Sequence, residues 1–480
     1  MKTPFFPQLR LAPLGRRVQH LRQQSLLHLD QFFGPFLPPR LLSQADDGAN
    51  SRQRIYTVRR TFFGFLYQVL NPDCPCREVV RQVQALVALQ HPDASAVDPG
   101  TSAYCQARAR LPWAMLPRLR CAAAAHAEKA RQLWRGLCVK VIDGTSASAP
   151  DTPKNQRAYP QPGGQQPGCG FPLVKLVGVF SLATGALLDY AKGNKHQHEL
   201  SLLQKLLDQF KAGDLALADR GFSSYTLLGW LWLRGVHSLF RLHQARPADL
   251  RQGKRLGKND RLIVWRKPWP WQRPRYLPKA VWNLIPQELS VRVVRFILEV
   301  PGFRAQSVTL VTTLLDPQAY PAEELARLYV RRWRIELWFR DIKTSLGMEV
   351  LRCKSPKMLH KELELFFIAY NLIRSLMAEA GTIYDVPMER LSFKGTVDTA
   401  RQFSVAIAQA RSGKQQQQLL AHLLEIIAHD PVPDRPGRRE ARAVKRRPKP
   451  YPLLNKARRQ FKEIAHRNRY WKNNPRKSRS

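Results

Sequence analysis

The sequence predicts a mixed α/β sheet with helices on its faces, interrupted by a β-rich insertion and joined to helical N-terminal and C-terminal regions. Three observations carry this expectation. Between 136 and 243, short apolar runs bounded by turn residues come first and then alternate with segments of helical spacing. A Trp- and Pro-rich stretch follows and breaks that alternation. Beyond it the chain returns to one more apolar run and then to a long amphipathic helix.

Residues 1–54 are rich in Pro and Leu and read as an irregular arm with short helices. Residues 55–135 show helical patterns in TFFGFLYQVL, REVVRQVQALVAL, SAYCQARARL and CAAAAHAEKARQLW, a helical region suited to DNA binding. In a helical SAYCQARARL, Arg108 lies one turn from Tyr104 on the same face, with Arg110 nearby; that face suits DNA phosphates or plain solvent. Residues 136–243 form the first part of the predicted core. LCVKVIDG is a strand ending in Asp143. FPLVKLVGVFSL and ALLDYAKG are two more strands around the turn ATG. ELSLLQKLLDQF has helical spacing, DLALADRGF is a strand ending in Asp219, SYTLLGWLWL is a helix and VHSLFRL a strand. The insertion spans 244–306 and holds RLIVWRKPWPWQRPRYL and the strand SVRVVRFILEV. The second part of the core, 307–380, opens with the strand SVTLVTTLL. A long helix then starts near Pro321, with Glu323 and Glu324 in its first turn, where acids oppose the helix dipole favourably. Residues 381–430 are helical. The tail, 431–480, carries 18 basic and 3 acidic residues and too little apolar material for a core, so it is expected to be disordered or to fold on a partner.

Charge sets the partner class. Lys and Arg number 78 against 36 Asp and Glu, a formal +42. Nucleic acid is the expected partner, because each cation set on a phosphate releases a condensed counterion. An anionic membrane surface is the rival, but no apolar run is long enough to span a bilayer, and the start MKTPFFPQLRLAPLGRR does not read as a signal peptide. The seven scattered cysteines read as reduced thiols of a cytoplasmic protein. Cys74 and Cys76 form a C-x-C pair with no second pair at zinc spacing, and NPDCPC reads as a loop before a helix.

The chemistry-bearing residues are carboxylates and cations. Two-metal phosphodiester cleavage needs hard oxygen ligands converging on ions about 3.5–4 Å apart. Asp143 in VIDGT and Asp219 in ALADRGF sit at strand ends, which a sheet brings side by side; each alone is equally an ordinary turn or cap residue. In YVRRWRIELWFRDIK, Tyr329, Arg332, Glu336 and Lys343 are spaced by three, four and seven. At about 100° per residue they share a sector of about 60° on one helix face. A carboxylate flanked by cations and a phenol suits phosphoryl transfer; a salt-bridged amphipathic face, with Glu336 paired to Arg332 or Arg340, is the plain alternative. Trp333, Leu337 and Phe339 are the expected core contacts of this helix, with Trp338 less clearly so. His196, His198 and Glu199 invite a metal reading, set aside because Glu199 opens a helix and Mg²⁺ rarely takes imidazole.

The Tyr–two–Arg–three–Glu–six–Lys pattern, filled by Tyr329, Arg332, Glu336 and Lys343 without a gap, resembles the signature of DDE transposases of the insertion sequence 4 family. VIDGT and ALADRGF resemble that family's two aspartate motifs, and the likeness covers about 55–460. The resemblance implies a ribonuclease H-like fold interrupted by the insertion. It implies that Asp143, Asp219 and Glu336 bind Mg²⁺, with Mn²⁺ able to substitute. It implies that Tyr329, Arg332 and Lys343 grip the DNA backbone near the cleaved end. Arg220 then suits a phosphate or a salt bridge, and Trp265 and Trp269, among Arg266, Lys267, Trp271 and Arg273, suit stacking on a displaced base or packing within the insertion. The expected activity is cleavage at transposon ends and strand transfer into target DNA by a homodimer associated with the bacterial nucleoid. A metal-dependent nuclease would cleave without joining, and a transposase-derived binding protein would show no Mg²⁺-dependent nicking.

Overall fold

A computed structural model describes residues 27–43, 54–90, 97–164, 166, 168–243, 250–298, 306–433 and 460. Most of the predicted arm and basic tail lies outside the described residues.

The described strands are β1 (Cys138–Ser148), β2 (Leu173–Ser181), β3 (Leu187–Gly193), β4 (Asp214–Ala218), β5 (His237–Arg241), β6 (Lys254–Gly257), β7 (Asp260–Arg266), β8 (Glu288–Leu298) and β9 (Gln306–Thr312). They form one sheet in the order β3-β2-β1-β4-β5-β9-β8-β7-β6. β1 runs antiparallel to β2 and parallel to β4, and β4 runs parallel to β5. β3 pairs antiparallel with β2, so in this 3-2-1-4-5 order only β2 runs against the other four, the ribonuclease H-like arrangement. β9 pairs antiparallel with β5, and β8, β7 and β6 add antiparallel strands beyond it. The segment between β5 and β9 therefore prolongs the core sheet instead of forming a separate one.

Alternation along the strands makes two cores. Leu215 and Leu217 of β4, with Val139 and Val141 of β1, face one layer; Ala216 and Ala218, with Ile142, face the other. Both layers are covered, so the strands read as continuous apolar runs. The first layer is built from α1 (Leu27–Phe33), α2 (Val58–Leu70) and α5 (Met115–Ala127), together with helices from the second half of the chain, while α3 (Cys76–Gln90) and α4 (Ser102–Arg110) form a smaller separate core around Val79, Val83 and Tyr104. The second layer includes α6 (Glu199–Leu203) and α7 (Tyr225–Leu233). In the second half, α8 (Ala322–Arg331) and α9 (Arg334–Arg340) precede α10 (Pro356–Ile383), α11 (Phe393–Gln409) and α12 (Gly413–Ala428). α10 runs 28 residues and is buried through most of its length, which fits its nearly all-round apolar sequence FFIAYNLI. Among the described residues, no helix is long and apolar enough to cross a membrane.

Several elements depart from the sequence expectation. β1 does not end at Asp143; it continues to Ser148, held by β2 after β4 has ended. The segment ELSLLQKLLDQF is α-helical only to Leu203 and then tightens into a 3₁₀ stretch, Gln204–Gln209. Arg108 turns inward: its guanidinium lies over the Phe65 and Tyr104 rings at 4.7 and 5.2 Å and bonds Gln68, so cation–π packing places it among the N-terminal helices. The expected long helix after Pro321 is broken at Arg332 and Trp333, and its end, Asp341–Ser345, is a π-helix.

Candidate active site

Sheet register sets two carboxylates side by side. Ile142 of β1 lies opposite Ala218, the last residue of β4, so Asp143 within β1 and Asp219 just past the end of β4 lie at the same level of the sheet. Asp219 heads the short turn Arg220–Phe222, but its side chain makes no cap bond there. Its Oδ1 instead accepts from the Tyr329 hydroxyl at 3.4 Å. The ordinary capping role that its position allows is therefore not the one it fills. Asp143 Oδ1 accepts the Gly144 N–H at 2.8 Å, and its Oδ2 faces Arg332 Nη1 at 3.4 Å.

Arg332 joins the third carboxylate to the first. Its Nη2 lies 3.7 Å from Glu336 Oε1, one turn on. The guanidinium is buried, whereas Glu336 is 62% exposed at the mouth of the cleft. Lys343 lines a cavity of about 340 Å³ together with Asp143, Thr145, Glu336, Arg340 and Glu349. Glu336 and Lys343 thus line one cavity with Asp143, Arg332 reaches Asp143 and Glu336, and Tyr329 bonds Asp219, although no uninterrupted helix carries the four. The break at Arg332–Trp333 and the π turn change the phase between α8, α9 and Lys343; π turns are common at functional sites. The same break corrects two of the expected core contacts, Trp333 and Leu337, which are exposed; Phe339 is buried as expected, and so is Trp338, the two packing on Phe180.

Burial is the main electrostatic force on Asp143. It pushes the carboxyl up to about 6; the Gly144 N–H and Arg332 oppose the rise, and the neighbouring Glu199 and Asp219 charges add to it. Burial likewise pushes the Tyr329 phenol up, keeping it a protonated donor to Asp219. Because Asp143 is harder to ionise folded than unfolded, its ionisation costs stability as pH rises through about 6. Asp143→Asn should therefore stabilise the metal-free protein by on the order of 2 kcal/mol at pH 8, a figure kept low because the side chain retains some solvent. The gain should shrink as pH falls from 6 toward 4. Urea denaturation in a chelator at both pH values measures it, and equal stability of the two proteins at pH 8 would contradict the assignment.

The other predicted residues scatter more widely. Arg220 is exposed beside Asp219. Trp265, in β7, packs half-buried against the second core. Trp269 is 65% exposed and stacks on Trp271, with ring centroids 5.2 Å apart and planes 3° from parallel. The sequence reading weighed Glu199 with His196 and His198 and set it aside. A Cβ built on Gly144 would fall 2.2 Å from Glu199 Oε1, so this carboxylate lies directly against the residue after Asp143. The signal was the NKHQHEL segment itself, discounted as a helix start.

All the side chains facing this cleft with metal-binding capacity are carboxylates, a hard oxygen set that fits a divalent cation such as Mg²⁺ or Mn²⁺. Among the described residues no three His, Cys, Asp or Glu close on a single point, and Arg332 lies against both Asp143 and Glu336. The donor chemistry fits; loading an ion requires the carboxylates to turn from that guanidinium.

Comparison with known proteins places the chain. The transposase DDE domain family matches residues 134–372, which include all of the cleft described above. The chain is 27% identical over 445 residues to the transposase InsG for insertion sequence element IS4 of Escherichia coli (strain K12), covering 91% of this chain and 96% of that protein. It is 31% identical over 83 residues to the transposase for insertion sequence element IS421 of Escherichia coli, covering 17% of this chain and 21% of that one. Among solved structures, a piggyBac transposase synaptic complex with hairpin DNA aligns with a TM-score of 0.40 and 9% identity, over 84% of this chain and 85% of that one. The chain is a DDE transposase, a DNA-binding polynucleotidyl transferase of a metal-dependent class. Within that class it belongs to the insertion sequence 4 family.

Proposed function

We propose that this transposase cuts DNA at its element's ends and joins the freed ends to target DNA, with Asp143, Asp219 and Glu336 holding Mg²⁺. The observation that carries the reading is the shared cleft. Asp143 in β1 lies level with Asp219, just past the end of the parallel neighbour β4, and Arg332 contacts both Asp143 and Glu336. Asp143, Asp219 and Glu336 would supply the hard oxygen ligands for the ions. Bound there, the divalent ions supply charge neutralisation at the phosphate and a more acidic water.

The chain's own residues do the positioning. Tyr329 orients Asp219, and Arg332 holds Asp143 and Glu336 until DNA and metal arrive. With its carboxylates turned to the ions, Arg332 is freed toward a phosphate oxygen, and its planar fork suits that role. Lys343 in the cleft and the exposed Arg220 supply further phosphate contacts. The exposed Trp269 offers a face for an unstacked base, and Trp265, half-buried in β7, is the second candidate. Water attacks the scissile phosphorus and the 3′ oxygen leaves, taking up a proton as the water loses one; the resulting 3′-hydroxyl then attacks a second phosphodiester, giving up its proton as that phosphorus loses its own 3′ oxygen, which leaves as a protonated hydroxyl. Two element ends and one cleft per chain call for a homodimer on DNA, and the +42 charge suits residence on the bacterial nucleoid.

Titrating Mg²⁺ into the protein with end-bearing duplex tests the reading. Nicking should rise with metal and vanish in a chelator, with Mn²⁺ substituting. Nicking that persists undiminished in the chelator would overturn it.

A further inference from the structure

We propose that Arg241 grips a phosphate of the cleaved DNA strand next to the scissile one, on the Asp219 side of the cleft. This rests on the reading of Asp143, Asp219 and Glu336 as the cutting site.

The placement comes from sheet register. β1, β4 and β5 are neighbouring parallel strands. Ile142 lies opposite Ala218, and Ala218 lies opposite Phe240. The next residue of each segment, Asp143, Asp219 and Arg241, therefore stands in one row across the sheet. Alternation puts the row on one side. Val141, Leu217 and Leu239, two residues earlier, all belong to the first core, and Ile142, Ala218 and Phe240 belong to the second. Asp143, Asp219 and Arg241 thus face the layer from which α8 brings Tyr329. Contacts agree for the two acids, since Asp143 meets Arg332 and Asp219 meets Tyr329. The positive charge of Arg241 is felt at the Tyr329 phenol, where it opposes the rise that burial causes. Neighbouring strands lie about 4.8 Å apart, so the Arg241 backbone stands about that far from Asp219 and about twice as far from Asp143.

Arg241 is half-buried, and among the described residues no acid pairs with its guanidinium. Its neighbour in the row, Asp219, is bonded to Tyr329 instead. The fully buried arginines are treated differently: Arg120 holds Asp189 and Glu364, and Arg292 holds Asp260. A cation drawn partly out of water without an anion carries an uncompensated cost. A phosphate oxygen compensates it, and the planar fork of arginine matches that group. Arg332 lies on the Asp143 side of the row and Arg241 on the Asp219 side. A strand laid over the acids is then held by a cation on each side. Fixing the scissile phosphorus over its ligands is most of what phosphoryl transfer asks of a protein.

The test uses the full chain and end-bearing duplexes in which one linkage at a time, on either side of the scissile phosphate, is an uncharged methylphosphonate. On unmodified DNA with protein in excess, Arg241→Gln should slow cleavage roughly tenfold to a hundredfold, the scale of losing a hydrogen bond to a charged group. Arg241→Lys should recover part of that rate, and both variants should melt with the parent. One methylphosphonate position should slow the parent to the rate of Arg241→Gln and slow Arg241→Gln no further, because the charge that Arg241 meets is already gone. Asp219→Asn reports on the underlying site. If Asp219→Asn loses cleavage while Arg241→Gln cleaves at the parental rate, Arg241 grips no phosphate and the proposal is overturned. It is equally overturned if every methylphosphonate slows Arg241→Gln by the same factor as the parent, which marks a structural role. If Asp219→Asn also cleaves at the parental rate, the reading of the three-carboxylate site itself is overturned.

Discussion

Asp143→Asn, Asp219→Asn and Glu336→Gln should each lower strand cleavage by on the order of a thousandfold, while binding of the transposon end survives. Each change keeps the size of the side chain and removes one anionic oxygen ligand. A lost metal contact of several kcal/mol in the transition state corresponds to about that factor. Binding survives because most of the affinity for DNA comes from phosphate contacts spread over a chain with 78 Lys and Arg residues. Cleavage rates on an end-bearing duplex, paired with a filter or mobility assay of binding, separate the two effects. A variant that cleaves at the parental rate removes its residue from the site.

Arg292→Ala should destabilise the protein by about 3–5 kcal/mol, the range for breaking a buried ion pair from one side. Arg292 is fully buried and grips both oxygens of Asp260, with its Nε 2.9 Å from Oδ1. It also donates from Nη1 to the Tyr320 carbonyl at 2.6 Å and to the Asp316 carbonyl at 3.3 Å. It thereby ties β7 and β8 to the loop that leads into α8, the helix bearing Tyr329. Loss of Arg292 should loosen that loop and lower cleavage even at temperatures where the variant remains folded. Urea denaturation gives the stability, and cleavage well below the melting range gives the second effect. A change of under about 1 kcal/mol would place the pair among interactions of surface strength.

The sheet was legible because most of its strands are continuous apolar runs: β2, β3, β4 and β5 lie within runs that the sequence marks, β9 starts one residue before its run, and β1 continues past its run to Ser148. Asp143 and Asp219 could be paired in advance, since parallel neighbours bring their ends together. The helix from Pro321 was misjudged in detail. A constant 100° step assumes unbroken α-helix, and the turn at Arg332–Trp333 with the π-helix at Asp341–Ser345 resets the phase. Hence Trp333 and Leu337 face outward where Trp338 and Phe339 face in. Glu199 was out of reach for another reason. Its contact with Gly144 exists only once β1 lies beside the turn before α6, and no local pattern in NKHQHEL encodes that meeting. The inward turn of Arg108 is of the same kind: helical spacing gave it a face, but only the packed neighbours Phe65 and Gln68 decide which face that is.

The most direct test of a metal-dependent cut-and-join site is strand transfer from a pre-cleaved transposon end bearing a free 3′-hydroxyl. With Mg²⁺ and target DNA, the parent protein should yield covalently joined product, and Asp143→Asn should yield none while still binding the end. Joining by Asp143→Asn at the parental level, or no joining by a parent protein that cleaves, would contradict the account.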